Sequence, residues 1–366
     1  MSTNIPPEDI ILQILLSLPV KSLLRFRSVC KSFLNLISHP HFILNYRNKV
    51  LIKSENQPNY IVSGQGCVYE LNVNGVNELR VPCDRVTNVV GVCNGIVCLE
   101  SNSSVILWNP ATRAFKESYC PELNVIMPLV EGTEDRVCIG RSSYGFGLDA
   151  NGADYICLAV YCRRWDLTLH SVVRVYSSRT DSWKVLEGDF CFQMTEYKNC
   201  AVVKGVPYWT AIVRKLEDDE ELSEVFLWFD ARHEVFMVVE YPEVAFKRGN
   251  RAYFMECDDR LVSLTYCPGE QCDQLVDVWV LDDGECWSKK HTVGPILVEI
   301  ERLVGCTRDG DILGLDTKRG LFLFLSRNKE IRYIHTDDGT YGDIDVHNYY
   351  ETLTSVDEMK NIDEED

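Results

Sequence analysis

From about residue 50 to residue 350 one pattern recurs, and it limits the folds open to this chain. A short apolar run ends in a polar turn residue, and an aromatic or other apolar residue follows five or six positions later. It reads as 105–109 with Phe115, 173–177 with Trp183, 226–230 with Phe236, 278–282 with Trp287 and 321–326 with Ile331. A hairpin signal precedes each copy, as in Val92-Cys93-Asn94-Gly95-Ile96-Val97-Cys98 and the turn at Asp309-Gly310. Asn-Gly and Asp-Gly suit a two-residue hairpin turn because both central positions need positive φ. The turn residues Asn109, Ser177, Asp230, Asp282 and Ser326 stand 68, 53, 52 and 44 residues apart. Four short strands with their turns fill about 40–50 residues, the period of a propeller blade. A weaker copy at 68–79 makes six units. The expected fold is a large all-β domain, a β-propeller of about six blades. A β-sandwich is the competing architecture, although about 300 residues is large for one. Trp108, Trp183, Trp228, Trp279 and Trp287 are then expected to lie buried in successive blades.

The first 42 residues follow a different period. Pro7, Glu8 and Asp9 suit the first turn of a helix, where a missing N–H costs nothing and acids meet the positive dipole end. Ile10, Ile11, Ile14, Leu15 and Leu18 form one broad helical face, and Pro19 stops it. Residues 22–37 read as a second helical segment, broken near Arg27. A unit this small leaves much of its surface exposed. Some of these apolar side chains should therefore face either a partner or the following domain, and residue physics leaves both readings open.

The N-terminus lacks a basic flank followed by an apolar run, so no secretory signal is expected. No run of about 18 apolar residues occurs, so no membrane span is expected. The 16 cysteines include no Cys-x-x-Cys pair. They read as reduced core thiols of a cytoplasmic protein, with the nucleus as the alternative, and no metal site is expected. Residues 1–50 carry a net charge of +4 and the remainder −22, in a chain whose total is −18. An acidic body repels nucleic acid, whose binding needs Lys and Arg against phosphates. It either steers a basic protein partner or serves solubility alone. Candidate acidic contacts in blade turns are Asp258, Asp259, Asp282 and Asp283. Residues 217–221 add an acidic loop. Residues 357–366 read as an acidic disordered tail.

The N-terminal stretch resembles the F-box of plant F-box proteins. The resemblance rests on Pro7-Glu8-Asp9, the Ile/Leu helix, Leu18-Pro19-Val20-Lys21-Ser22-Leu23-Leu24-Arg25-Phe26-Arg27, and Val29-Cys30-Lys31-Ser32-Phe33. Pro6 stands where that family usually has Leu, and Phe33 where it usually has Trp. Residues 91–98, 106–113, 144–147 and 175–183, with 278–282, Trp287 and 292–295, resemble the F-box-associated domain of the same proteins. S-locus F-box and F-box-like proteins come nearest.

The resemblance implies an F-box domain at 1–45, a target-binding β-domain at 46–356, and no catalytic residue or cofactor of its own. The chain would be the substrate receptor of a Skp–cullin–F-box ubiquitin ligase. Adaptor contacts would come from Pro7, Ile10, Ile14, Leu15, Leu18, Pro19, Leu23, Leu24, Val29, Cys30 and Phe33. On that reading, replacing Leu23 and Leu24 by Ala should abolish adaptor binding while the β-domain stays folded. The S-locus resemblance implies a basic secreted ribonuclease as target. A sister of the same architecture would instead take another target, such as an immune receptor. The rival class is a stand-alone propeller enzyme or sugar binder with a helical cap. No phosphate-loop, nucleophile-elbow or His-Glu-x-x-His motif supports an enzyme.

Overall fold

A computed structural model describes the chain except residues 1–6, 55–58, 65, 73–74, 84–85, 102–103, 121–138, 166–167, 196–199, 215–221, 243–249, 269–272, 283–285, 319, 335–343, 357–359 and 362–366. Four helices come first: α1 (Glu8–Leu16), α2 (Val20–Arg27), α3 (Lys31–Ser38) and α4 (Pro40–Ser54). Pro7 and Pro19 sit just outside α1 and α2 as extended N-cap residues, so each helix starts where proline fixes the backbone. The break after Arg27 holds Ser28, Val29 and Cys30, the last being the extended N-cap of α3. α4 is longer than the sequence pattern indicates and runs through residue 45. Its apolar residues lie all round because it has two neighbours. Phe42 and Tyr46 pack into the helical core, whereas Leu51 reaches the β-domain.

The strands form six antiparallel sheets. The first blade contains β1 (Asn59–Gly64), β2 (Cys67–Asn72) and β3 (Gly75–Glu78). The second has β4 (Val86–Cys93), β5 (Ile96–Ser101), β6 (Ser104–Asn109) and β7 (Ala114–Tyr119). The third has β8 (Ile139–Leu148), β9 (Tyr155–Trp165), β10 (Thr168–Ser177) and β11 (Ser182–Val185). In the fourth, β12 (Phe192–Met194) and β13 (Ala201–Val203) share the inner edge of β14 (Val206–Arg214), followed by β15 (Leu222–Asp230) and β16 (Val235–Glu240). The fifth has β17 (Arg251–Cys257), β18 (Arg260–Tyr266), β19 (Gln274–Asp282) and β20 (Cys286–Ile296). The sixth has β21 (Ile300–Cys306), β22 (Ile312–Asp316), β23 (Leu321–Leu325) and β24 (Glu330–Ile334).

The next strand, β25 (Ile344–Tyr349), returns to pair with β1, with Val346 opposite Val62. The ring therefore closes between the two ends of the β-domain, because β25 supplies the innermost strand that the first blade would otherwise lack. The architecture is four helices followed by a six-bladed β-propeller, and the sandwich alternative is set aside. A two-residue strand β26 (Lys360–Asn361) lies on the edge of β7; the rest of the acidic tail falls outside the described residues.

Of the five tryptophans expected inside, Trp108 is buried at 1 % exposure. Trp183, Trp228, Trp279 and Trp287 are only partly buried. They stand on the third and fourth strands, where blades splay apart with distance from the axis. Two of them bridge seams instead: Trp183 Nε1 donates to Ser118 Oγ at 3.1 Å and Trp287 Nε1 to the Glu240 carbonyl at 2.8 Å. Trp209, not among the five, is buried and donates to the Tyr144 carbonyl at 3.0 Å. This explains the Tyr144-Gly145-Phe146-Gly147 motif. A Cβ on Gly145 would lie 1.9 Å from Trp209 Cζ2, so only glycine admits the indole. Cys93, Cys98, Cys157 and Cys306 are buried free thiols, as expected of small core residues.

Candidate functional site

The helical module divides its apolar residues between a core and an open face. Leu15, Val20, Leu23, Ile37, Phe42 and Tyr46 are buried together, joined by Leu353 from the far end of the chain. Leu18, Leu24 and Phe33 pack against that core while keeping some surface. Outside it, Ile10, Ile14 and Val29 are 47, 52 and 66 % exposed, and Phe26 and Leu34 are exposed too. Phe26 meets Phe33 edge-on at 5.7 Å, which holds α2 against α3 beneath this face. Pro7, Pro19 and Cys30 are also exposed. So many large apolar side chains open on one small module mark an interaction surface.

The sequence-derived contact set needs one correction. Leu15 and Leu23 point into the module's own core and present almost nothing to a partner. The apolar stripe could not separate these roles, because both sides of α1 and α2 carry large aliphatic residues. The Leu23/Leu24 double substitution therefore confounds contact with folding. Leu23→Ala alone is expected to cost about 3 kcal/mol through lost burial and a cavity. Thermal unfolding of the helical signal should show it as a lower melting temperature even without any partner.

The propeller axis holds two adjoining cavities. One, of about 430 Å³, is lined by Glu224, Tyr253, Arg302, Asp345, His347 and Asn348 among others. Arg302 Nη2 lies 3.4 Å from Asp345 Oδ1, tying the sixth blade to the first. The second, of about 360 Å³, opens beside Leu51 of α4 and is lined by Asn94, Gly205, Asp258, Asp259, Arg308 and Tyr350. Glu256 borders both. It accepts from the Asp259 N–H at 2.8 Å and from Asn348 Nδ2. Burial, with Asp259 and Asp258 adding repulsion, nevertheless pushes its pKa up to about 7. Burial holds His347 down at about 4, and its Nε2 has no hydrogen-bond partner. Among the described residues no group of three or more His, Cys, Asp or Glu could hold a metal, and no helix is long and apolar enough to cross a membrane.

These cavities orient the molecule. Turns from first to second strand, and from third to fourth, share one end of a propeller. Asn94-Gly95, Lys204-Gly205 and Asp258-Asp259 are turns of the first kind, and α4 meets that same end. Asp258 and Asp259 are therefore exposed on the helix-bearing end, where β19 also ends at the half-buried Asp282; Asp283 lies outside the described residues. Asp258 and Asp259 share the second cavity with Leu51 of α4. Asp258 lies 3.6 Å from Arg308, and Asp282 accepts from Ser288 and, at 2.9 Å, from Lys290. The Ser288 bond, then Lys290, holds the Asp282 pKa below the usual range. The fourth strands of the blades end at the opposite end; the segments 121–138, 215–221, 243–249 and 335–343 lie outside the described residues. Counting strand alternation along the sequence would have separated the two ends.

Comparison with known proteins agrees with this division. Residues 7–45 match the F-box domain and residues 70–356 match the F-box associated beta propeller domain. An F-box/kelch-repeat protein of Arabidopsis thaliana is 25 % identical over 96 % of both chains. The F-box protein CPR1 of Arabidopsis thaliana is 25 % identical over 78 % of this chain and 72 % of its own length. Among solved structures the tricorn protease aligns over 84 % of this chain and 34 % of its own at 12 % identity, with a TM-score of 0.35, too low to bear on the argument. The chain belongs to the plant F-box proteins in which an F-box domain precedes an F-box associated beta propeller domain.

Proposed function

We propose that this chain is the substrate receptor of a Skp–cullin–F-box ubiquitin ligase, working in the cytoplasm or nucleus. The observation that carries the reading is the open apolar face around Ile10, Ile14, Phe26, Val29 and Leu34 on a module matching the F-box. That face docks the Skp-type adaptor; the propeller holds a target protein, and the recruited machinery performs the transfer. The receptor itself does no chemistry.

The helices occupy one end of the propeller, so the target meets the other. The β-domain sequence is acidic, with 121–138, 215–221 and 335–343 at net charges of −3, −4 and −3 against +1 for 243–249. A basic target is steered to such a body. A basic secreted ribonuclease, the target implied by the S-locus resemblance, fits that charge.

Co-purification with a Skp-type adaptor and cullin tests the receptor reading. A chain that forms no such complex is a propeller with a helical cap. Association with a basic ribonuclease, followed by surface-based kinetics, should slow markedly between low salt and 0.15 M, where the Debye length falls to about 8 Å. Salt-indifferent association would remove the charge argument and leave recognition to apolar contacts.

A further inference from the structure

The segment after β25 belongs to two cores at once. Leu353 is 4 % exposed and packs among Leu15, Leu23, Ile37 and Phe42 of the helical module. Three residues later Val356 is buried with Val90, Cys98 and Phe146 at the seam of the second and third blades. The short run 350–356 thus leaves the first blade, passes the channel mouth at Tyr350, enters the helical core, and returns to the propeller.

A socket holds it between those anchors. Asn109 is fully buried, and its Nδ2 donates to the carbonyls of Thr352 at 3.1 Å and Thr354 at 2.8 Å. Its Oδ1 accepts from the backbone N–H groups of Ala111 at 3.0 Å and Thr112 at 3.3 Å. Thr352, equally buried, donates from Oγ1 to the Asn94 carbonyl at 3.0 Å, and the Tyr350 hydroxyl donates to Asn94 Oδ1 at 3.3 Å. Gly95 has φ +77°, and a Cβ there would lie 2.4 Å from Thr352 Oγ1. Two motifs of the β-domain, Asn94-Gly95 and Asn109-Pro110-Ala111-Thr112, therefore converge on one segment. Ala111 touches the helical core as well. Lys21 of α2 adds a weak attraction for both Glu70 of β2 and Glu351 of the segment, smaller than the effect of their burial.

We infer that residues 350–356 are a coupling strap that fixes the orientation of the F-box module on the propeller, with Asn109 as its positioning residue. A ligase needs the target held at a set place relative to the adaptor, because transfer depends on proximity and orientation. That consequence rests on the receptor reading above; the joint itself does not. A four-residue link at 55–58 is the only covalent connection between α4 and β1. Without the strap, the module would keep α4's contacts at the channel mouth, the touch of Ala111 and the attraction of Lys21 for Glu70.

Asn109→Asp separates the strap from its surroundings. It keeps the oxygen that accepts from Ala111 and Thr112 but replaces the donor facing two carbonyls by an acceptor. Fluorescent labels on noncanonical residues at Gln13 and Arg327, both exposed, report the angle between module and propeller in the full chain. The distance distribution, narrow in the wild type, should broaden in Asn109→Asp and in a chain ending at Tyr349. Amide exchange at 352–354 should accelerate roughly 100-fold in Asn109→Asp, since two buried hydrogen bonds are lost and replaced by repulsion. Adaptor capture should stay within about twofold, which a collapse of the module would not permit. Equally narrow distributions in both variants would overturn the strap and assign the joint to α4. If the wild-type chain captures no adaptor, the receptor reading fails, and the distance distributions still judge the strap.

Discussion

Replacing Ile14 and Val29 together by Glu weakens capture of a Skp-type adaptor at least 100-fold and leaves the propeller's melting unchanged. Both side chains are more than half exposed, and neither belongs to the module's buried cluster. The substitutions therefore do not burden folding. In the complex the same positions would have to bury a carboxylate in an apolar contact with no partner for its charge. Interface anchors of this kind are worth about 2 kcal/mol or more each, so two of them lost together give a change of 100-fold or greater. Ile52→Glu is the matching control. Ile52 is 67 % exposed on α4 but lies beyond the F-box match, so its charge should leave capture intact. Pull-down from purified components decides the matter. Undiminished capture by the double variant would remove the docking face from this side of the module. Equal loss in Ile52→Glu would mean that any added charge disturbs the helices.

Legibility of the fold followed the range of the forces involved. Asn94-Gly95 and Asp309-Gly310 announce hairpins because positive φ is a local demand, so blades could be counted from the sequence. The closing strand β25 carries no such mark. Its polar Asp345, His347 and Asn348 line the axis, and its partner β1 lies nearly 300 residues earlier. Leu23 and Ile14 are both large aliphatic residues on helices, and only packing separates a core residue from an interface residue. Asn109 stood out as a turn former, which it is through its Oδ1. Its other function, donating to Thr352 and Thr354, spans more than 240 residues and has no local signature. Asp258-Asp259 reads correctly as a turn, whereas Asp282 ends β19 and Asp283 lies outside the described residues. The place of that turn on the helix-bearing end follows from strand alternation and the entry point of α4, not from its charge.

Glu256→Gln should make the chain acid-sensitive across a range where the wild type is nearly flat. Two channel groups oppose each other there. Glu256 is raised from 4.5 to about 7, so the folded state holds its proton more tightly than the unfolded state. Its contribution is fully present below pH 4.5 and is lost as pH rises through 7. His347 is lowered from 6.5 to about 4 by burial, which disfavours its charged form, while its hydrogen bond to the Val89 backbone pulls weakly the other way. Its contribution is present above pH 6.5 and is lost as pH falls through 4. Between pH 4.5 and 6.5 the two slopes have opposite sign and similar size, up to about 3 kcal/mol each, less where channel solvent screens the charges. Gln at 256 keeps an acceptor for the Asp259 N–H and removes the titration. The His347 slope then stands alone, and stability should fall on acidification by an amount worth roughly 5 °C in melting temperature. His347→Gln should do the reverse, losing stability as pH rises toward 7. Melting curves of the wild type, both single variants and the double variant from pH 4 to 7.5 separate these contributions from every other carboxylate, which all four proteins share. Parallel curves for the wild type and Glu256→Gln would mean that the carboxyl titrates as it does in water, and the channel would then be open enough to solvate it.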